Sequence, residues 1–517
     1  MAGTKPESVI ARIALGLLLV AGLGPLLHLV VQAGGAIAAA SGTSPLLDAR
    51  TAWLLGRSLA ISAGAAAIAV ALGSVCGVIL ARVPLRGRTW ITAGLLGGLC
   101  LSPYVLALGW LGGRLDTPWS GVLLASPLAV AWILGAAHLP LVALLTALAA
   151  KRLPASLEEA GLLAAGPRRT LLRILLPGLS GTCAVAGLLV FALCLADYAV
   201  ASLLQVPTYP IEIFLLYAGV LQPAQAALAC SPLIAVGLAL AIALGALVPR
   251  TITRRWPPSP AREWTLCQRS RRMGAGVLAT VLIVSLAPPL LVLIAEFPSM
   301  EDSRRALASG LDAMANSLLV SATCAVLALA VAWPASAAVA ARSRRVLVAL
   351  ATLLLLPQCI PASAYGIAWV EMSSATGLPM EALGWLGPAL CLAARLGGPA
   401  CLFLAAARLA LPAEMLEAAQ IQEGRSLRRG LWIAAPQLAA PALGAAGILL
   451  ALSLNAVGLL VLTVPPGFEM LPLRADNLLH YGLPGEAIAL AIATALAAIA
   501  PALLLVGAAR MLRSRSL

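Results

Sequence analysis

The sequence predicts an all-α polytopic membrane protein with about twelve transmembrane helices. Hydrophobic residues make up 61% of the 517 positions and charged residues only 10%, which is less than half the charged share of an ordinary soluble domain. The apolar runs between the charges reach the roughly 20 residues that a helix needs to cross the hydrocarbon layer. A membrane β-barrel would show short alternating segments instead, so the helical class is favoured.

Twelve apolar segments reach this length or nearly so. The first has no Asp, Glu, Lys or Arg from Ile13 to Leu47, which is too long for a signal peptide and indicates an uncleaved span followed by an outer loop. The fifth continues past Asp197 as one span, and the tenth is interrupted by Arg395, which we expect near its outer end with its charge extended to the interface. The segments are 13–47, 58–81, 89–113, 117–150, 174–196, 213–249, 273–295, 313–341, 346–370, 382–407, 430–468 and 487–509.

The distribution of basic residues predicts the orientation. With the amino terminus placed inside, 27 of the 34 Lys and Arg residues fall in inner segments, as the positive-inside rule requires. Both termini are then cytoplasmic and membrane lipid surrounds the spans. The basic residues form short clusters between apolar runs and aromatic residues are only 4% of the chain. The net charge of +14 therefore reflects membrane topology, and nucleic-acid binding is not expected.

The two halves of the chain match at a constant offset of 259 positions. Trp110 aligns with Trp369, Glu158 with Glu417, and Ser58 with Ser317. Six spans separate equivalent points, and because this number is even the halves face the same way, as two parallel six-helix repeats. We predict a first domain at 1–249, a basic cytoplasmic linker at 250–272 with seven Arg, and a second domain at 273–517.

A polar segment of the same design follows the fourth and the tenth span. Each begins with Leu-Pro, continues with Glu, Ala and Leu, and then has a glycine, a basic stretch and a proline at the next span. Gly166 and Gly424 permit a sharp turn between two short helices. The pattern predicts a helix–turn–helix on the inner membrane face, where Glu158 and Glu417 supply a fixed charge on an otherwise smooth helix that a partner can approach.

These two segments resemble the EAA loop of bacterial ATP-binding-cassette importer permeases. That motif has Glu-Ala-Ala, a glycine, and a proline nineteen residues after the Glu, and both Glu158–Pro177 and Glu417–Pro436 keep this spacing. The first copy has a second Glu in place of one Ala, and both glycines lie one or two positions later than in the family. The residues that the resemblance assigns to the coupling loops are Glu158, Glu159, Ala160, Gly166, Glu417, Ala418, Ala419 and Gly424.

The resemblance covers essentially the whole chain and is closest in layout to the fused double permeases of ferric-iron and thiamine importers. It implies a type I importer permease fold in the bacterial inner membrane, with two cytoplasmic ATPase subunits on the coupling loops and a periplasmic solute-binding protein outside. It also implies that this subunit is not an enzyme and binds no cofactor, because the partner uses the ATP. Ferric iron is the first candidate solute, with thiamine or a phosphonate as alternatives.

The remaining motifs agree with a subunit that does not itself use nucleotide. The sequence has no GxxxxGK[ST] phosphate loop, and its only lysines are Lys5 and Lys151. Its cysteines and three histidines show no spacing typical of a metal site, so no metal is expected. The alternative function is a secondary active transporter with two parallel six-span halves, which would need ion-coupling residues within its spans.

Two polar residues mark a tentative translocation path. Asp197 in the fifth span is either a pathway or gating residue or a hydrogen-bonded structural carboxylate near the outer boundary, since ionisable groups within spans usually face the bundle interior or water. Asn455 lies near the position equivalent to Asp197 in the eleventh span and is a weaker candidate for the path.

Overall fold

The computed structural model of the chain is almost entirely helical. It describes residues 6–39, 48–111, 125–220, 223–252, 268–295, 299–411, 415, 435–480 and 484–515, and no strand occurs among them. Ten of the described helices are long and apolar enough to span a membrane, and two further helix pairs bring the number to as many as twelve if each bent pair is one span. The all-α polytopic prediction is therefore confirmed, and each predicted segment overlaps one of these helices or pairs, although the helix in the eleventh segment (430–468) ends at Leu454.

Eleven helices are described before the central basic segment or immediately after it. They are α1 (Pro6–Ala39), α2 (Ala49–Arg82), α3 (Arg88–Cys100), α4 (Pro103–Leu111), α5 (Pro127–Arg152), α6 (Ala155–Thr170), α7 (Leu176–Ala196), α8 (Ala199–Leu203), α9 (Tyr209–Val220), α10 (Pro223–Ile252) and α11 (Gln268–Ala295). A single π-helical turn, Leu171–Leu175, joins α6 to α7.

Nine more helices are described in the rest of the chain. They are α12 (Met300–Ala340), α13 (Arg344–Cys359), α14 (Ala362–Ala375), α15 (Met380–Leu383), α16 (Leu386–Leu409), α17 (Ala435–Leu454), α18 (Val457–Thr463), α19 (Leu471–His480) and α20 (Pro484–Arg515). The bent pairs are α3 with α4, at 91°, and α13 with α14, at 95°.

The helices form two compact units, and each unit contains helices from both halves of the sequence. The α2 unit comprises Ala49–Ile211 and Arg250–Phe297, and the α12 unit comprises Met1–Asp48, Glu212–Pro249 and Pro298–Leu517. Helix α1 therefore packs with the later helices and α11 with the earlier ones. The compact units do not coincide with the predicted domains 1–249 and 273–517, which are defined by sequence repetition alone.

Small residues bring α2 and α5 into close contact in the α2 unit. A Cβ atom at Gly77 would lie 2.6 Å from the carbonyl oxygen of Ala143, and one at Gly73 would lie 2.9 Å from that of Leu139. Ala65 and Ala69 of α2 are fully buried. Without a side chain at these points the two backbones approach until van der Waals packing replaces lipid, which is how helices associate inside a membrane.

The same kind of packing fixes α1 and α16 in the α12 unit. A Cβ atom at Gly22 of α1 would lie 3.1 Å from Pro357 Cγ, and one at Gly398 of α16 would collide with the backbone of Leu354 on α13. The hydroxyl of Tyr365 on α14 donates a hydrogen bond to the carbonyl oxygen of Gly22 over 3.3 Å. Helix α1 is thus held by α13, α14 and α16.

One buried hydrogen bond recurs in both units. The backbone N–H of Tyr209 donates to Ser58 Oγ over 2.9 Å, and the backbone N–H of Leu471 donates to Ser317 Oγ over 2.8 Å. Ser58 and Ser317 occupy equivalent positions on α2 and α12. The bent pairs follow α2 and α12 in the same order, so the helical sequence and this contact both repeat along the chain.

Candidate functional site

The first predicted coupling loop is a helical hairpin with its turn at Gly166. The backbone of Gly166 has φ +74° and ψ 173° inside α6, a conformation that only glycine adopts readily. The Thr170 hydroxyl donates to the Gly166 carbonyl oxygen over 2.8 Å. The predicted turn is therefore present, and after it the chain stays helical through the π-helical turn into α7.

The hairpin is closed by contacts between its two arms. A Cβ atom at Gly161 would lie 3.1 Å from Thr170 Cγ2, so the arms meet at a glycine. Leu153, which precedes α6, is 4% exposed and its side chain covers Gly178 of α7. Leu153 also belongs to a buried cluster with Leu80 and Leu175, which joins the base of the hairpin to the core of the α2 unit.

A buried ion pair fixes α6 to the ends of two spans. The guanidinium of Arg82 pairs with the Glu158 carboxylate, and these side chains are 0% and 7% exposed. Arg82 Nη2 also donates to the Ala150 carbonyl oxygen over 2.7 Å. Arg82 is the last residue of α2 and Ala150 lies in the last turn of α5, so the cation sits at two helix carboxyl ends, where the helix dipole favours positive charge.

Glu158 therefore faces the interior of the unit, and apolar side chains occupy the outer surface of α6. Leu163 is 90% exposed, and Leu157 and Leu162 are about two-fifths exposed. Ala160 and Ala164 are exposed as well, while Glu159 is half-buried. The sequence pattern suggested a glutamate offered to a partner, whereas the structure presents leucine and alanine, here named the α6 outer surface (Leu157, Ala160, Leu162, Leu163 and Ala164).

The second predicted loop lies outside the described residues. Glu417, Ala418, Ala419 and Gly424 all fall between the end of α16 and the start of α17, so their role stays a prediction. At the end of α16, which precedes this segment in the chain, Arg408 Nε donates to Ser336 Oγ of α12 over 2.7 Å and Arg408 Nη2 donates to the Trp333 carbonyl oxygen over 3.2 Å. An arginine thus links α12 to α16, as Arg82 links α2 to α5. Arg408 lies on the second helix of its pair, whereas Arg82 lies on the first.

The two polar residues of the predicted path lie at helix breaks. Helix α7 ends at Ala196, Asp197 is extended at φ −78° and ψ 123°, and its Oδ1 accepts the N–H of Val200 over 2.9 Å. The expectation that the fifth span runs through Asp197 is therefore wrong, because this carboxylate ends one helix and caps the next. Asn455 follows α17, and its Nδ2 donates to the Ala451 carbonyl oxygen over 2.9 Å.

Arg395 is buried in the middle of α16. It is 5% exposed, its Nη2 donates to the Ile360 carbonyl oxygen over 2.8 Å, and its Cζ lies 5.7 Å from the centre of the Tyr365 ring. The expectation that it lies near an outer end and extends to the interface is wrong. Arg395 instead supports the carbonyl at the bend between α13 and α14, where a helix end would otherwise lack a donor.

Sequence reasoning missed two polar contacts that the structure brings together. Arg82 resembled the neighbouring basic residues that set topology, and nothing in its spacing separates it from Arg86 or Arg88. Glu371 of α14 accepts hydrogen bonds from the Tyr217 hydroxyl over 2.9 Å and from Gln32 Nε2 over 3.4 Å. The only indication of this contact in the sequence was the acidic charge of Glu371 at the end of an apolar run.

No metal-ligating group of three or more His, Cys, Asp or Glu side chains occurs among the described residues. The nine cysteines within those residues are free thiols, all buried except the half-buried Cys183. No family model, curated protein or solved structure matches the chain. The hairpin geometry is therefore the main guide to function.

Proposed function

We propose that this chain is the membrane-embedded subunit of an ATP-driven importer of the bacterial inner membrane, with two parallel six-helix repeats. A periplasmic binding protein delivers a small solute, with ferric iron first and thiamine or a phosphonate next among the candidates. Two cytoplasmic ATPase subunits dock on the hairpin at Glu158 and on its sequence equivalent at Glu417. The observation that carries this proposal is the α6 outer surface, an exposed apolar surface on a short helix between two spans.

The anchoring of α6 supports a role in transmitting movement. Its exposed leucines are on one side, while Glu158 attaches it through Arg82 to α2 and α5, and Leu153 at its base packs on α7. A partner that moved α6 would therefore move the ends of three long helices together, because packed side chains transmit displacement with little compression. An exposed leucine patch beside span ends is also typical of a protein interface.

The repeated features of the two units support a duplicated permease. The serine contacts at Ser58 and Ser317 recur, and so do the right-angled helix pairs. Each unit also has an arginine, Arg82 or Arg408, that joins the ends of its two most closely packed spans. The choice of solute rests on the family resemblance alone, and the absence of a phosphate loop from the sequence supports placing ATP hydrolysis on a partner.

The test is Leu163→Arg in the full-length protein, purified from its native membranes together with whatever binds it. Because Leu163 is exposed, the charge leaves the fold intact and blocks an apolar partner. We expect ATPase activity in the purified wild-type complex and at least a tenfold loss of it in the variant, along with loss of solute uptake, since desolvating an unpaired guanidinium costs several kcal/mol.

The matched control is Leu378→Arg, which places the same charge on another leucine that is 57% exposed, on the side predicted to be periplasmic. It should retain ATPase activity. Normal uptake by Leu163→Arg would contradict docking at α6. Uptake driven by a proton gradient in proteoliposomes that contain only this chain would instead support the secondary transporter.

A further inference from the structure

A small, partly open cavity lined by both polar and apolar side chains lies in the α2 unit beside the break between α7 and α8. Its volume of about 10 Å³ is near the minimum for a single water molecule or ion. Its polar lining consists of Ser58 and Ser62 of α2, Asp197, and Thr208, and Cys194 lies beside them. Thr208 is 5% exposed, and its hydroxyl has no hydrogen-bond partner among the described residues.

Three of the hydrogen-bond donors around this cavity are already used. The Ser58 hydroxyl donates to the Leu54 carbonyl oxygen over 2.9 Å, and the Ser62 hydroxyl donates to the Ser58 carbonyl oxygen over 2.8 Å. The N–H of Val200 is used by Asp197 Oδ1. Ser58 Oγ also accepts the backbone N–H of Tyr209 over 2.9 Å, which leaves it one lone pair. What these groups still offer to the cavity is therefore oxygen lone pairs, and the carboxylate adds a negative charge.

The charge around the cavity favours a cation of single charge. Cys194 and Leu195, in the last turn of α7, line it, and the carboxyl end of a 21-residue helix carries partial negative charge. One carboxylate neutralises one positive charge, whereas a divalent ion would leave a net charge in a poorly solvated site. Interrupted membrane helices commonly place carbonyl and side-chain oxygens around such ions.

We propose that this cavity binds one Na⁺ ion, held by the Asp197 carboxylate and the hydroxyl oxygens of Thr208, Ser62 and Ser58. The ion joins α2 to the α7–α8 break and to the segment before α9. This site does not depend on the proposed transport function, because it follows from the α2 unit alone.

The α12 unit provides a natural comparison in which the site is incomplete. Ser317 and Ser321 of α12 correspond to Ser58 and Ser62, and the Ser321 hydroxyl, fully buried, has no hydrogen-bond partner. Asn455, which stands at the helix break, replaces the carboxylate by a neutral amide. Met470 precedes Leu471 as Thr208 precedes Tyr209, so a thioether stands in place of the Thr208 hydroxyl. We therefore expect one ion for each chain.

The experiment measures thermal unfolding of the purified full-length protein in detergent, with NaCl or N-methylglucamine chloride at constant ionic strength. Na⁺ should raise the melting temperature saturably by about 3 °C or more, because a ligand that binds only the folded state stabilises it. The large organic cation cannot enter the cavity and should have no such effect. Equilibrium binding of radioactive sodium should give one site for each chain.

Two variants assign the site. Asp197→Asn keeps an oxygen that can cap Val200, so the helix break should survive while the sodium response is lost. Thr208→Val keeps the side-chain shape and should raise the half-saturating Na⁺ concentration about tenfold. Asn455→Ala, at the equivalent break of the α12 unit, should leave the sodium response unchanged.

Equal melting temperatures in the two salts, together with no sodium binding, would overturn the proposal and indicate that the cavity holds only water. A sodium response that persists in both Asp197→Asn and Thr208→Val would also overturn it, because the ion would then lie elsewhere.

Discussion

At the residue scale, the position of α6 depends on Arg82. Its guanidinium is fully buried and contacts the Glu158 carboxylate and the carboxyl end of α5. A buried ion pair adds modest net stability when intact, because both charges have lost their hydration, but removing one partner leaves the other uncompensated. The intact Arg82–Glu158 pair therefore contributes more to fixing the position of α6 than to the net free energy of unfolding of the α2 unit.

We predict that Glu158→Ala lowers the free energy of unfolding of the α2 unit by about 3–5 kcal/mol, since it leaves the Arg82 charge buried without this carboxylate. Thermal unfolding in detergent measures the change. The control is Glu301→Ala, because the Glu301–Arg305 pair on α12 is 74% and 63% exposed and is expected to contribute less than about 0.5 kcal/mol. Wild-type melting of Glu158→Ala would show that the pair is dispensable.

At the scale of elements, glycine and proline determine where helices turn. The right-angled pair α3 and α4 has Pro103 as the first residue of its second helix, and α14 follows Pro361 in the same way. Proline fits the first turn of a helix but cannot continue one. Gly166 turns the chain between the two arms of the hairpin, because its backbone conformation is one that other residues rarely adopt.

We predict that Gly166→Ala destabilises the hairpin by about 1–3 kcal/mol, because alanine is strained at φ +74°. No atom lies within 4 Å of the added methyl group, so the effect arises from the backbone alone. Hydrogen exchange of 155–175 should speed up while exchange in α2 and α5 is unchanged. Gly444→Ala in α17 is the control, since it too has open space and its φ is not positive. Unchanged exchange would contradict the strained turn.

At the scale of the whole molecule, neither half of the sequence contains a complete unit. The α12 unit includes α1, whose Gly22 carbonyl accepts the Tyr365 hydroxyl and whose Gln32 contacts Glu371. The α2 unit includes α11, and a Cβ atom at Gly109 of α4 would collide with the Pro289 carbonyl of that helix. Each unit is therefore complete only when both halves are present.

We predict that residues 268–517 expressed alone do not give a stable membrane protein, because Tyr365 and Glu371 would lose polar partners within an apolar environment. Co-expression with residues 1–252 should restore a complex that copurifies and melts as one species in detergent. Residues 48–252, which lack α1, should not restore it. A well-dispersed 268–517 fragment with wild-type melting would show that α1 is not required.

Much of the architecture could be predicted from the sequence, because bilayer thickness requires each span to have a minimum apolar length. The turn at Gly166 was predictable for a similar reason, since few residues tolerate such backbone angles. The break at Asp197 and the burial of Arg395 were not, because a single polar residue within an apolar run does not show whether the helix continues. Arg82 gave no signal, since its partner lies 76 positions away and only folding brings them together.

The assignment of α1 to the α12 unit also affects synthesis in the cell. Ribosomes release α1 long before α12 and α16 exist, and about 300 further residues must be translated before α12 is complete. At translation rates of about 5–20 residues per second, this delay lasts roughly 15–60 s. During that interval the half-buried side chain of Gln32 lacks Glu371, its hydrogen-bond partner in the folded α12 unit, so an insertase or chaperone that shields polar groups in nascent membrane helices should be needed for efficient biogenesis.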